Sequence, residues 1–378
     1  MLDESLLDAP DDLARADRRG LLRGAAEAGA RVRTAARHAA EAGITALNPE
    51  GRPRALLVAG PGTAATGVAD LVAALAGASA PVVRLHPSGV APAAGALRWA
   101  LPGWAGPLDL LLLPTTDGTE PGLAQLAEQA YRRGVTVVAV APQRTPVAEA
   151  VGGAHGLVVP LATPPHEMYE ETQAASPGAL WALFTPLLAL LDRVGLVAAP
   201  ADQLEKVADR LDRIAERCGP AIATYSNPAK TLAAELADTL PLIWTEGTAA
   251  APVGRRFAAV LAELAGLPAL AAQLPEALPC HGLLLAGDFA AGADPEDFFR
   301  DRVEEQQAVH ARVVLLRDRP SDAGGLTSAP AARELALSHD TAISELEPEE
   351  GSLLEALAEL LAVTDFAAGY LALASGPR

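Results

Sequence analysis

Short apolar runs of strand length alternate with alanine-rich helical segments along almost the whole chain, and that alternation leaves few architectures open. ALLVAG (55–60), PVVRLHP (81–87), LDLLLLP at the head of 108–122, VTVVAVAP (135–142) and GLVVPLA (156–162) each have the length and apolar character of a buried strand. Helical stretches separate most of them: one running on from Gly60 to about residue 76, one through Tyr131 and a short one from Pro146. After a polar segment, 163–176, a strongly apolar helix is expected over 178–196, covered on most sides by the other domain or by another subunit. A Pro/Ala break at 199–201 follows, and then the pattern repeats. Leu204, Val207, Leu211 and Ile214 mark a helix over 202–217. AIAT (221–224), PLIWTE (241–246), GLLLAGD (282–288) and RVVLLRD (312–318) read as strands. Helices are expected over 227–240, where Asn227 would be the N-cap and Pro228 the first helical residue, over 251–265, over 329–340 and from Ser352 to about Ala374.

Strands and helices in this order build α/β domains, each a mostly parallel sheet with helices on both faces in three αβα layers. The expected divisions are an N-terminal helical segment (1–44), a first domain (45–165), a linker with the long apolar helix (166–200), a second domain (201–350) and a C-terminal helix (351–378) that packs back on the domains.

Charge narrows the partners. Of 378 residues, 29 are Lys or Arg and 47 are Asp or Glu, a net charge of -18. Such a surface repels nucleic acid and anionic membranes, yet a small phosphorylated ligand needs only a local nest of amides or one cation. Cys218 and Cys280 are too few for a disulfide scaffold. The acidic start lacks the features of a signal peptide, and the apolar stretch 183–191 is too short to span a bilayer, so the expected compartment is the cytoplasm.

Four places carry chemistry. GPGTAATG (60–67) lies between a strand and a helix, where Gly62 and Thr63 offer a tight turn and helix-opening amides to an anion; it is neither a P-loop nor a full GxGxxG. TTDGTE (115–120) puts Thr115, Thr116 and Thr119 beside another helix start, either as phosphate hydroxyls or as backbone caps. Two such loops at the carboxyl ends of strands in one sheet locate a crevice. Glu263, a turn or two below Arg255 and Arg256, is a solvated surface carboxylate unless apolar neighbours raise its pKa into the range of a proton-abstracting base. His281, directly after Cys280 and before an expected strand, is an acid/base candidate or a structural histidine. No second His or Cys stands at ligand spacing, so no metal is expected, and no organic cofactor motif is present. The histidine-bearing loop with His166, Glu167, Glu170 and Glu171 is a polar interdomain segment.

The chain resembles the bifunctional phosphoglucose/phosphomannose isomerases, proteins of two sugar isomerase (SIS) domains, and among them the diverged actinobacterial members. The resemblance runs nearly full length. Its pieces are NPAKTLAAELADTLPLIW (227–244), FAAVLAELAGLPALAAQLPEA (257–277), VVLLRD (313–318), SPGALWALFTPLLALLDRVGL (176–196) and the ending EGSLLEALAELLAVTDFAAGYLALASG (350–376). It implies two SIS domains, a cytoplasmic homodimer and cofactor-free interconversion of glucose or mannose 6-phosphate with fructose 6-phosphate through a cis-enediol. Carried over, Glu263 is the base and His281 the ring-opening residue, while Thr116, Thr119 and the amides near Gly62 and Thr63 hold the phosphate. Arg144, Arg255 or Arg256 is a candidate to replace the family's basic side chains, with Arg256 named for the sugar-phosphate site. The sequence departs from the family at several points: Ala64 stands where the first loop has a phosphate-binding Ser, Ser176 and Gly178 replace a segment bearing Arg, and ELAG (263–266) keeps the Glu but loses the Asn and Lys. The alternative is a sugar-phosphate-binding protein, regulatory or structural, with a degenerate isomerase site.

Overall fold

The computed structural model describes residues 2–49, 51–91, 93–161, 177–287, 289–290, 309–319 and 326–375. In chain order the elements are α1 (Glu4–Leu7), α2 (Pro10–Ala16), α3 (Leu21–Ala26), α4 (Ala28–Glu41), β1 (Ala55–Val58), α5 (Gly62–Ala76), β2 (Val82–Arg84), β3 (Asp109–Pro114), α6 (Pro121–Arg132), β4 (Thr136–Ala141), α7 (Pro146–Gly153), β5 (Leu157–Pro160), α8 (Pro177–Arg193) and α9 (Ala201–Arg217). They continue with α10 (Pro228–Leu236), β6 (Thr239–Glu246), α11 (Ala250–Ala265), β7 (Leu270–Gln273), α12 (Ala277–Ala286), β8 (His310–Arg317), α13 (Ala329–Ser338), β9 (Ile343–Leu346) and α14 (Leu353–Ala374).

The chain divides into two compact units. The N-terminal unit is Gly24–Asp212; the C-terminal unit joins Met1–Arg23 to Arg213–Arg378. The expected N-terminal segment 1–44 is therefore shared out. Its first helices belong to the C-terminal unit, where the Asp3 amide donates to the Ala374 carbonyl at 2.9 Å and Asp8 accepts from the Thr224 amide at 2.8 Å.

The N-terminal sheet has the order β2-β1-β3-β4-β5, parallel throughout. Every residue of β1 and β3 is buried, which is why these runs are apolar but for Asp109 at the start of β3. On one face Leu111 and Leu113 pack with Leu123, Leu126 and Val147 from α6 and α7. On the other, α8 lies against β3 and β4 and packs with α4 and α5. The C-terminal sheet is also parallel, in the order β7-β6-β8-β9. Leu242, Trp244, Val313 and Leu315 pack against Leu285 of α12 and Ala332 and Ala336 of α13. α11 packs on β6 and β7, and α14 packs on α10 and α11. By length and composition α14 could cross a membrane, but it is buried in the folded chain.

Two expected strands form differently. AIAT (221–224) is a turn, because the Pro220 and Ile222 carbonyls bend round the buried Lys230 ammonium and accept from it at 2.8 and 2.7 Å. Lys230 in turn lies 5.4 Å from the centre of the Tyr370 ring. GLLLAGD (282–288) begins inside α12 rather than forming a strand. Its leucines and alanine are good helix formers, it lacks β-branched residues, and Pro279 sits in the first turn where proline is tolerated. Two short strands, β7 and β9, carry too little apolar character to stand out in the sequence; β7 reads Leu-Ala-Ala-Gln. The polar loop with His166, Glu167, Glu170 and Glu171 lies outside the described residues, as does Ser176.

Candidate functional site

In the N-terminal sheet the strand order reverses between β1 and β3, so the loops that follow these two strands face a common crevice. Gly60 lets the strands close up: a Cβ there would collide with the Pro114 carbonyl oxygen and lie 2.7 Å from the Ala65 Cβ. Gly62 opens α5 with φ +77, a conformation glycine adopts without strain. The N-cap, Pro61, offers no side-chain hydrogen bond to the first turn of this 15-residue helix. Thr63 is half-buried in that turn. One cation stands beside it: Arg84, the last residue of β2, donates to the Thr66 hydroxyl at 2.7 Å. Sequence reasoning passed over Arg84; the signal available was a charged residue within an otherwise apolar strand.

The second loop is more occupied than its hydroxyls suggest. Thr115 is buried, its hydroxyl set 3.0 and 3.1 Å from the Glu120 carboxyl oxygens while accepting from the Gly118 amide at 2.9 Å. Thr119 is exposed and donates to Asp117 at 2.7 Å. Thr116 is half-buried, and its hydroxyl has no partner among the described residues. Glu120, absent from the expected set, is 1% exposed, and burial pushes its carboxyl up from its ordinary pKa, helped by Asp117.

In the C-terminal unit the expected residues sit in three different surroundings. Glu263 is exposed on α11. Arg256 is buried and paired with Asp365 of α14 at 2.5 Å. That pairing holds its guanidinium inside the fold, between α11 and α14. His281 is 8% exposed and sits on α12, where its Nδ1 accepts from the Trp244 indole at 2.9 Å. An indole only donates, so Nδ1 carries no proton and the neutral ring has its hydrogen on Nε2. Burial lowers the pKa of His281.

Here too the strand order reverses, between β6 and β8, and the chain fills that crevice with its own carboxylates. Asp318 accepts from the Ala249 amide at 2.9 Å at the start of α11 and packs against Gly247 (φ +104). Glu246 accepts from the Ser328 amide at 2.5 Å and from Arg317 at 2.8 Å. Burial opposes its ionisation, but the Ser328 amide, Thr327 and Arg317 together hold it below the usual carboxylate range. Among the described residues no group of three or more His, Cys, Asp or Glu is placed to hold a metal ion.

Two parallel αβα units, each with a strand-order reversal in its sheet, define a tandem SIS-type architecture. Residues 225–377, within the C-terminal unit, match the family model described as the bacterial phospho-glucose isomerase C-terminal SIS domain. No curated protein matches the chain. Among solved structures it is similar to a glucose-6-phosphate isomerase like protein from Thermus thermophilus, with 18% identity, 97% of this chain and 92% of that one covered, and a TM-score of 0.53. A hypothetical protein from the same organism covers 97% of this chain and 89% of its own at 15% identity, with a TM-score of 0.60. The C-terminal domain of glucosamine-fructose-6-phosphate aminotransferase from Francisella tularensis has 14% identity, coverage of 94% and 96%, and a TM-score of 0.50. At these identities the likeness is one of fold.

Proposed function

We propose that this chain binds a phosphorylated sugar and that its N-terminal unit takes the phosphate. The observation that carries this reading is the start of α5: Gly62 opens the helix at φ +77 at the strand-order reversal, its N-cap Pro61 brings no side-chain hydrogen bond, and Arg84 reaches Thr66 one turn on. Amides at a helix start favour an anion, and one charge-assisted hydrogen bond contributes about 1.5–3 kcal/mol. Gly62, Thr63 and Thr116 then contact the phosphate. Thr115 holds the loop from beneath, and Thr119 steadies Asp117. The expected test is calorimetry with fructose 6-phosphate and with fructose. The phosphorylated sugar binds and the free sugar does not, and Arg84→Gln weakens binding about tenfold, or 1.4 kcal/mol. Equal behaviour of the two sugars overturns the reading.

A second reading is aldose–ketose isomerisation of glucose or mannose 6-phosphate with Glu263 as the base. The family match favours it, since it spans both Glu263 and His281. Because Glu263 is exposed, this reading also calls for a second copy of the chain to cover α11 and withdraw the carboxylate from water. A coupled assay for fructose 6-phosphate formation decides it: turnover abolished by Glu263→Gln supports the isomerase, and background rates at high protein concentration leave only the binding function.

A further inference from the structure

At the opposite end of the N-terminal sheet, where β3, β4 and β5 begin, a cavity of about 530 Å³ lies beneath the strands. Leu110, Val138 and Leu157 form its strand wall, and Leu190 of α8 and Val194 just after that helix form its other side. The segment around Leu47 and Arg52 borders its mouth. Arg193 fixes this border from α8, donating to the Leu47 carbonyl at 2.6 Å and to Asn48 at 3.3 Å.

The polar lining is sparse, and its acid is already neutralised. Asp109 is buried and accepts from Arg54 at 3.0 and 2.7 Å and from the Gly106 amide at 2.8 Å. Arg52 differs: it is exposed at the mouth and has no partner among the described residues. Among the described lining residues Arg52 is the one charged group without a partner, and an arginine at the mouth of an apolar cavity favours an anionic head group. The volume falls in the range of roughly 300–1,000 Å³ typical of small-ligand sites. A sugar would leave most of its hydroxyls unpaired against these walls, whereas a hydrocarbon tail suits them.

We propose that this cavity binds a straight-chain carboxylate, with its tail between the strand ends and α8 and its head on Arg52. The site is separate from the phosphate-binding crevice and does not depend on that reading. The tail supplies most of the affinity and the arginine selects the head group.

The test is calorimetry on the full chain with hexanoate, octanoate, decanoate, 1-octanol and octylamine. Saturable one-to-one binding of the carboxylates is expected, tightening roughly tenfold for every two methylenes added. Arg52→Gln, at an exposed position, weakens octanoate about fivefold and leaves octanol unchanged. Leu157→Trp fills the cavity and abolishes octanoate binding; its folding is checked by circular dichroism, and the Arg52→Gln series decides the matter if it does not fold. Saturating glucose 6-phosphate leaves octanoate binding unaltered. The proposal is overturned by no saturable binding, by octylamine binding as tightly as octanoate, by no effect of Arg52→Gln, or by displacement with glucose 6-phosphate.

Discussion

Burial acts in opposite senses on two side chains here. Glu120, withdrawn from water behind Thr115, has its pKa raised, so the folded protein binds its proton more tightly than the unfolded chain does. Its favourable contribution is complete below the unfolded value, about 4.3, and is lost as pH rises through the folded one. Glu120→Gln, which keeps the shape and a polar partner for Thr115, is expected to remove this pH dependence and to raise stability at pH 7, read by urea unfolding. A Gln variant less stable than the parent at pH 7 contradicts the assignment. His281 has its pKa lowered by burial. Its contribution is full above an unfolded pKa of about 6.5 and declines as pH falls through the folded value. The stability advantage of the parent over His281→Gln should therefore be larger at pH 7.5 than at pH 5. Nitrogen NMR of the ring is expected to show the Nε2–H tautomer, and Trp244→Phe is expected to loosen that preference. An Nδ1–H ring in the parent would contradict the hydrogen bond from Trp244.

At the scale of elements, α14 shows how a helix apolar along most of its length is held in register. Its start is a reciprocal capping box, with the Ser352 hydroxyl accepting from the Glu355 amide at 3.2 Å and the Glu355 carboxylate accepting from the Ser352 amide at 3.1 Å. Ser352→Ala is expected to cost about 1 kcal/mol in chemical denaturation. Deeper along the helix, Asp365 meets Arg256 of α11 inside the packed layer. Asp365→Ala leaves the arginine buried without its countercharge, an expected loss of about 3–5 kcal/mol. Replacing both partners by apolar residues of similar volume should recover most of that loss; a double variant as unstable as the single one would show that the pair itself is needed. Elements also mark the limit of pattern reading. The cap at Asn227 was legible, because Asn-Pro ahead of an alanine-rich run has few other uses, and its side chain accepts from the Ala229 and Lys230 amides at 3.1 Å each. α12 was not, because a short apolar run has no period that separates a buried strand from a buried helix.

For the whole molecule, the division into units carries its own prediction. Leu7 and Leu13 are buried, and Asp8 holds the Thr224 amide and hydroxyl, so the first 23 residues complete the C-terminal unit. Removing them is expected to reduce hydrogen-exchange protection in α14 and around Thr224 while leaving β1, β3 and β4 protected as before. A uniform loss across both sheets would mean that the two units do not unfold separately.

Alternation of apolar runs with alanine-rich helices was enough for two parallel αβα domains, because the hydrophobic period and the turn residues are local properties carried in each segment. The crevice after β1 and β3 was legible for the same reason, since glycines and threonines at strand ends announce a turn. Which of those side chains stay available was settled only by folding. Arg256 found Asp365 109 positions away, His281 found Trp244 37 positions away, and Arg84 came to Thr66 across a strand boundary. Such pairings depend on distance in space and on loss of water, and neither is written in the order of residues along the chain.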